Sequence, residues 1–208
     1  NPNQSQQAIS GSGSSGTYHQ GAVFLNNATI EHAEVAVNLS SAATAFRGGI
    51  VQATSSTFAN NRYDVVMPPY RWQNANNNSR FLDCHFTTTD ALLSSDPNPR
   101  THALLFGVRG VRFWGCKFEN TRNGLTYDYE LGNGIMATDA SFRVDDFCAA
   151  YSGSTCTDLR ESRFVNLRHG ISTGRLLNPQ ACSVKHTDFD HCLRAIRNEG
   201  VNFANFSG

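Results

Sequence analysis

Apolar residues along this chain come in short runs, separated by Asn, Gly, Ser and Asp, and no stretch keeps the spacing of an amphipathic helix. The runs recur in a fixed frame. With Phe118 of FWGCKFENTRNGL as position zero, the same arrangement centres on Ile30, Phe58, Phe86, Phe142, Phe164, Phe189 and Phe206, at intervals of 17 to 32 residues. Position −2 is small (Ala28, Ser56, Cys84, Cys116, Ala140, Ser162, Thr187, Ala204). Position −5 is usually apolar (Leu25, Ala53, Phe81, Phe113, Leu159, Val184, Val201), as is position +7 (Val37, Val65, Leu93, Leu125, Ile171, Ile196). Position +2 holds His32, Asn60, Thr88, Asn120, Asn166 and His191.

Positions −2 and zero share one face of a strand, whereas −5 and −2 would fall on opposite faces, so the chain must bend between them. Asn27, Ser55, Asp83, Gly115 and Asp139 stand at −3, inside that bend, where Gly, Asn and Asp best tolerate a left-handed backbone. Glu161, His186 and Phe203 depart from the pattern there. Each repeat therefore reads as strand, bend, strand, Asn-type turn, strand and variable loop. Coils of this kind stack by parallel pairing at about 4.8 Å per rung. The predicted fold is all-β, a right-handed parallel β-helix of about eight coils over residues 17–208 with loop insertions. Residues 1–16 read as a linker. The phenylalanines at zero should point inward as a ladder. A β-sandwich would account for the strands but not for the repeated frame.

The segments VRFWGCKFENTRNGL, ESRFVNLRHGI and HTDFDHCLRAI resemble the right-handed β-helix repeat of many secreted bacterial proteins. GGIVQATSSTFANNRYDVV, a loop, and SRFLDCHFTTTDAL resemble large surface and secreted proteins of the Bacteroidetes, many exported by the type IX route. The likeness covers residues 20–206 and implies the fold. The same repeat serves lyases, hydrolases, epimerases, adhesins and stalks, so function has to be argued from a site. The coil at Phe142 departs from the repeat, because Val144, Asp145 and Asp146 follow where a turn is expected.

Charge narrows the function classes. Lys plus Arg and Asp plus Glu both number 17 in 208 residues, so the net charge is zero. Neither nucleic-acid binding nor electrostatic docking on an anionic membrane is expected. No run of apolar residues is long enough for a membrane span. Six cysteines without a CxxC pair favour an oxidising compartment over a zinc ribbon. Cys148 and Cys156 flank the loop AAYSGST and form a candidate disulfide hairpin. Cys84 and Cys116, at −2 of consecutive coils, should stack as buried thiols.

Five loops break the repeat, at 68–79, 94–102, 127–133, 149–158 and 173–181. Loops on one side of a solenoid usually build its binding surface. The first holds Tyr70, Arg71 and Trp72, a ligand-binding candidate, since aromatic faces stack on sugar rings and Arg bridges hydroxyls or carboxylates. Asp139, Asp145, Asp146, Asp188 and Asp190 are the carboxylates nearest one another; with Arg143 and Lys185 they are the set a lyase or hydrolase would draw on. As turn and surface charges they need no such role. Arg168-His169-Gly170 only partly echoes a polygalacturonase signature. The seven histidines lack metal spacing, and His32 and His191 suit the +2 turn. No GxSxG elbow or phosphate loop occurs, so neither a cofactor nor a metal is expected. Sequons stand at Asn27, Asn38, Asn77 and Asn205.

The reading is a secreted or cell-surface structural or adhesion module, with a polysaccharide or surface glycan as partner. The alternative is a β-helical polysaccharide lyase or glycoside hydrolase. Because Phe206 falls in ladder position in an unfinished coil, the expectation includes further coils or self-association at the open ends.

Overall fold

The computed structural model describes residues 7–10, 22–39, 49–69, 76–90, 100–176, 181–199 and 203–207. Three parallel sheets wind around one axis as a right-handed parallel β-helix. The first sheet stacks Ala22–Asn26, Ile50–Thr54, Arg80–Leu82, Val111–Trp114, Phe142–Asp145, Ala181–Lys185 and Phe203–Ser207. The second stacks Thr29–Glu31, Thr57–Ala59, His85–Thr88, Lys117–Asn120, Ser162–Val165 and Thr187–Asp190. The third stacks Gln7–Ser10, Val35–Asn38, Tyr63–Met67, Thr101–Phe106, Asn133–Thr138, His169–Gly174 and Arg194–Asn198. Among the described residues six coils are complete, and a strand of a further coil stands on each side. The strand Gln7–Ser10 falls within the segment 1–16 that the sequence predicts to be a linker.

The ladder runs down the second sheet. Ile30, Phe58, Phe86, Phe118, Phe164 and Phe189 are register partners on successive coils. Ring centroids are 4.9 Å apart for Phe58–Phe86, 4.6 Å for Phe86–Phe118 and Phe118–Phe164, and 5.0 Å for Phe164–Phe189. Rings that stack across every rung bury apolar area and gain the offset-stacked contact as well. A shorter stack, Phe81 on Phe113, faces them from the first sheet.

Two predicted ladder members lie elsewhere. Phe142 belongs to the first sheet, opposite Val111 and Cys182, and Phe206 pairs with Val184 there. The cause is an insertion. An antiparallel hairpin, Phe147–Ser152 with Thr155–Arg160, interrupts the fifth complete coil at its bend, so that one coil looks like two repeats. Val144, and not Leu159, fills the −5 place, while Leu159 is 53% exposed on the hairpin. Loops have the same effect at +7. Ala103 and Ile135 stand in the column of Val37, Val65, Ile171 and Ile196. Leu125 lies in a loop, and Leu93 and Val201 lie outside the described residues.

The corners follow the predicted backbone. Asn27, Ser55, Asp83 and Gly115 have φ between 46° and 61° at the first bend, and His186 adopts 43° despite its residue type. Asp139 is left-handed too, at 49°, but it turns the chain out of the third sheet instead. His32, Asn60, Asn166 and His191 take φ of 51–58° at the second corner, which makes both histidines turn residues. At −2, the Ser56 and Ser162 hydroxyls accept the Ala28 and Cys116 amides of the preceding coil. Cys84 and Cys116 are stacked, buried free thiols. Burial pushes the Cys116 thiol well up, while the hydrogen bond with Cys116 holds Cys84 below its usual value.

One inward column is partly polar. Asp64 and His102, 1% and 5% exposed at the side chain, meet at 2.6 Å from Oδ2 to Nδ1, and the His102 ring lies against Phe86 and Phe118. On the next coil the column continues with Gly134, where a Cβ would fall 2.4 Å from the Gly170 carbonyl and 2.7 Å from the Phe164 ring. Only glycine lets the ring lie so close to the backbone. In the neighbouring column, buried His169 meets Asn133 Oδ1 from Nδ1 and Arg194 Nη1 from Nε2.

Burial first, and then the charges of Arg168, Arg194 and Arg197, hold the His169 pKa below its ordinary value. With a depressed folded pKa, the unfolded chain takes up the proton first as pH falls. The contribution of His169 is therefore fully present above about pH 6.5 and is lost on further acidification through the folded pKa. The urea midpoint of the wild type should fall between pH 7.5 and 5.5, and His169→Asn should reduce that slope. An identical slope in the two proteins would sink the assignment.

Candidate functional site

The inserted hairpin makes the most developed surface among the described residues. Elsewhere a single left-handed residue turns the first corner, but here the chain leaves at Asp146 and returns at Glu161. Gly153, at φ 61°, closes its tip, and the predicted disulfide between Cys148 and Cys156 ties its two strands. The hairpin root leans on the preceding coil. A Cβ on Gly115 would sit 2.8 Å from Phe147 Cβ and 2.9 Å from Arg160 Cβ, so the bend passes beneath only as glycine.

Between the hairpin and the outer face of the second sheet lies an open groove of about 400 Å³. Asp83, His85, Gly115, Lys117, Leu159, Arg160, Glu161 and Arg163 line it. His85, Lys117 and Arg163 are register partners on three consecutive coils and so form one outward column. Each basic group is already paired: His85 and Lys117 with Glu119 at 2.5 and 2.7 Å, Arg160 with Asp158 at 2.9 Å, and Arg163 with Asp188 at 3.3 Å. Burial would raise the Glu119 carboxyl, but hydrogen bonds from Lys117 and His85 outweigh it and hold the group below the usual carboxylate range. The groove therefore holds no unpaired cation, while its carboxylates Asp83 and Glu161 make no ion pair among the described residues.

The inserted loop before the fourth coil's third-sheet strand adds an aromatic surface. Tyr127 and Tyr129, 58% and 41% exposed, stack at 5.3 Å beside the short 3₁₀ helix Asp128–Leu131. Glu130 holds the turn by accepting the Thr126 and Tyr127 amides.

The candidates named from sequence separate. Tyr70, Arg71 and Trp72 lie outside the described residues. Asp188 pairs with Arg163, Asp190 with His191, and Asp139 accepts the Leu176 amide at its bend. Asp145 and Asp146 come together at the hairpin root, with Arg143 on Asp145 at 3.3 Å. Lys185 makes no ion pair with them among the described residues, and the group that joins them is His186. Asp145, Asp146 and His186 each turn one ligand atom to within 4.8 Å of the others. The residue frame could have marked His85, Lys117, Arg163 and Glu119, since all stand at the outward −1 or +1 positions. Nothing in their types distinguishes them from ordinary surface residues.

No helix among the described residues is long and apolar enough to cross a membrane. Compared with known proteins, the chain matches no family model, no curated protein and no solved structure.

Proposed function

We propose that this chain is an extracellular or cell-surface β-helical module with a structural and adhesive role, holding glycans in the groove beneath the hairpin. The repeat's resemblance to secreted and surface proteins of the Bacteroidetes belongs to this reading, and the Cys148–Cys156 disulfide agrees with an oxidising compartment. The observation that carries it is the groove's wall, in which Lys117, Arg160 and Arg163 are ion-paired and His85 is hydrogen-bonded to Glu119. A polyanion would have to displace these acids, whereas hydroxyls can share their hydrogen bonds. The preferred ligand is therefore a neutral, hydroxyl-rich glycan, with Tyr127 and Tyr129 as a second surface on which sugars can stack.

The enzymatic alternative finds its best group in Glu119, which holds two of the groove's basic residues. Both of its oxygens are engaged, and its pKa lies below the usual range, opposite to the shift a general acid near neutral pH requires. That favours binding over catalysis.

An array of neutral and acidic glycans tests the proposal. Retention of neutral oligosaccharides, weakened about tenfold or more by Arg163→Ala, is the expected result. Binding confined to polyanions at low salt, or no binding, would defeat it. Release of reducing or unsaturated sugar ends, lost on Glu119→Gln, would establish the enzyme instead.

A further inference from the structure

The root of the hairpin carries a cluster that the groove does not use. Asp145 ends a first-sheet strand, Asp146 begins the excursion, and His186 stands one coil further on, at the left-handed bend. His186 Nδ1 lies 3.0 Å from Asp145 Oδ1 and 3.5 Å from Asp146 Oδ2. Arg143 takes the other oxygen of Asp145, Oδ2, while Oδ1 faces the histidine and also accepts the Asp146 amide at 3.1 Å. Neighbouring ligands held about 2.0–2.1 Å from one metal ion stand roughly 3.0–3.4 Å apart, close to the two distances from His186, and the carboxylate oxygens lie within 4.8 Å of each other. Two carboxylates beside a single arginine also leave the local balance in favour of a cation.

We propose that Asp145, Asp146 and His186 form a binding site for a divalent transition-metal ion of the zinc class, separate from the groove and fastening the hairpin to the following coil. The imidazole nitrogen sets the class, because calcium prefers an all-oxygen shell of six to eight ligands, which three side chains with one nitrogen do not approach. His186 is half exposed, so the remaining positions are open to water. The ligands come from two coils, 41 residues apart between Asp145 and His186, and therefore an ion would resist lifting of the hairpin at a point the disulfide does not reach.

Calorimetric titration of the whole chain with Zn²⁺ and with Ca²⁺, followed by hydrogen exchange, tests this. The expected result is one Zn²⁺ per chain, bound at least tenfold more tightly than Ca²⁺, with slower exchange over residues 147–160. Asp146→Asn and His186→Asn should each weaken binding at least tenfold. Asn tolerates the left-handed bend at 186, so that variant keeps the fold, which circular dichroism verifies. His191→Asn, at an exposed histidine on the other corner, should leave binding unchanged. Absence of one-to-one binding, or binding indifferent to Asp146→Asn and His186→Asn, would overturn the site and leave an ordinary hydrogen-bonded histidine. Neither result bears on glycan retention, which is measured without added metal.

Discussion

Phe118→Ala is expected to lower the unfolding free energy by about 3–5 kcal/mol, the range for truncating a buried phenylalanine. Phe118 is fully buried and stacks on Phe86 and Phe164 at 4.6 Å on either side, with Phe113 edge-on at 5.6 Å. The space left by the ring is held open by backbones that are hydrogen-bonded rung to rung, so neighbouring coils cannot close on it. Phe189 is only partly buried and stacks on one described ring, so Phe189→Ala should cost less. Phe24, 72% exposed, should change stability by no more than about 0.5 kcal/mol as Phe24→Ala. Urea unfolding of the three variants gives the order. A loss below about 1 kcal/mol for Phe118→Ala would contradict a packed ladder.

Asp64→Ala should cost about 1–3 kcal/mol, for a different reason. Its carboxylate accepts from His102 Nδ1 at 2.6 Å and from Asn61 Nδ2 at 2.8 Å, and Asn61 in turn braces the second corner through Ile30 and Ala33. Removing Asp64 leaves His102 without its partner among phenylalanine rings. Burial pushes the Asp64 carboxyl up, against the pull of His102 and Asn61. With a raised folded pKa, the group's contribution is greatest below about pH 3.9 and is lost as pH rises through the folded value, so ionised Asp64 is a liability at neutral pH. The double change Asp64→Leu with His102→Leu should therefore cost clearly less than Asp64→Ala. A double variant as unstable as the sum of its single changes would show that the pair is not coupled.

The contrast between these residues and the groove explains what could be read in advance. Phe58, Phe86, Phe118 and Phe164 repeat because every coil needs the same apolar volume at the same place. Asn27, Asp83 and Gly115 repeat because every coil needs the same left-handed corner. His186 was legible as a position but not as a type, since the neighbouring strands impose its backbone. Insertions were misread for a related reason. Residues counted along the chain do not tell a full coil from an excursion, so the first-sheet strand Phe142–Asp145, which the hairpin separates from the rest of its coil, reads as a repeat of its own.

Strand alternation, corner chemistry and rung period are local properties repeated along the chain, and for that reason the sequence by itself determined the β-helix, six of the eight expected ladder positions, the stacked Cys84–Cys116 thiols and the Cys148–Cys156 hairpin. Only the tertiary structure decided which residues meet on the outside. His85, Lys117 and Arg163 form one column because 32 and 46 residues separate them along the chain while a single rung separates them in space. Asp145 and Asp146 meet His186 because the hairpin leaves the coil beside the next bend. Outward positions satisfy no common packing requirement, so their residue types carry no period. Their partners follow from the register that the buried side chains impose.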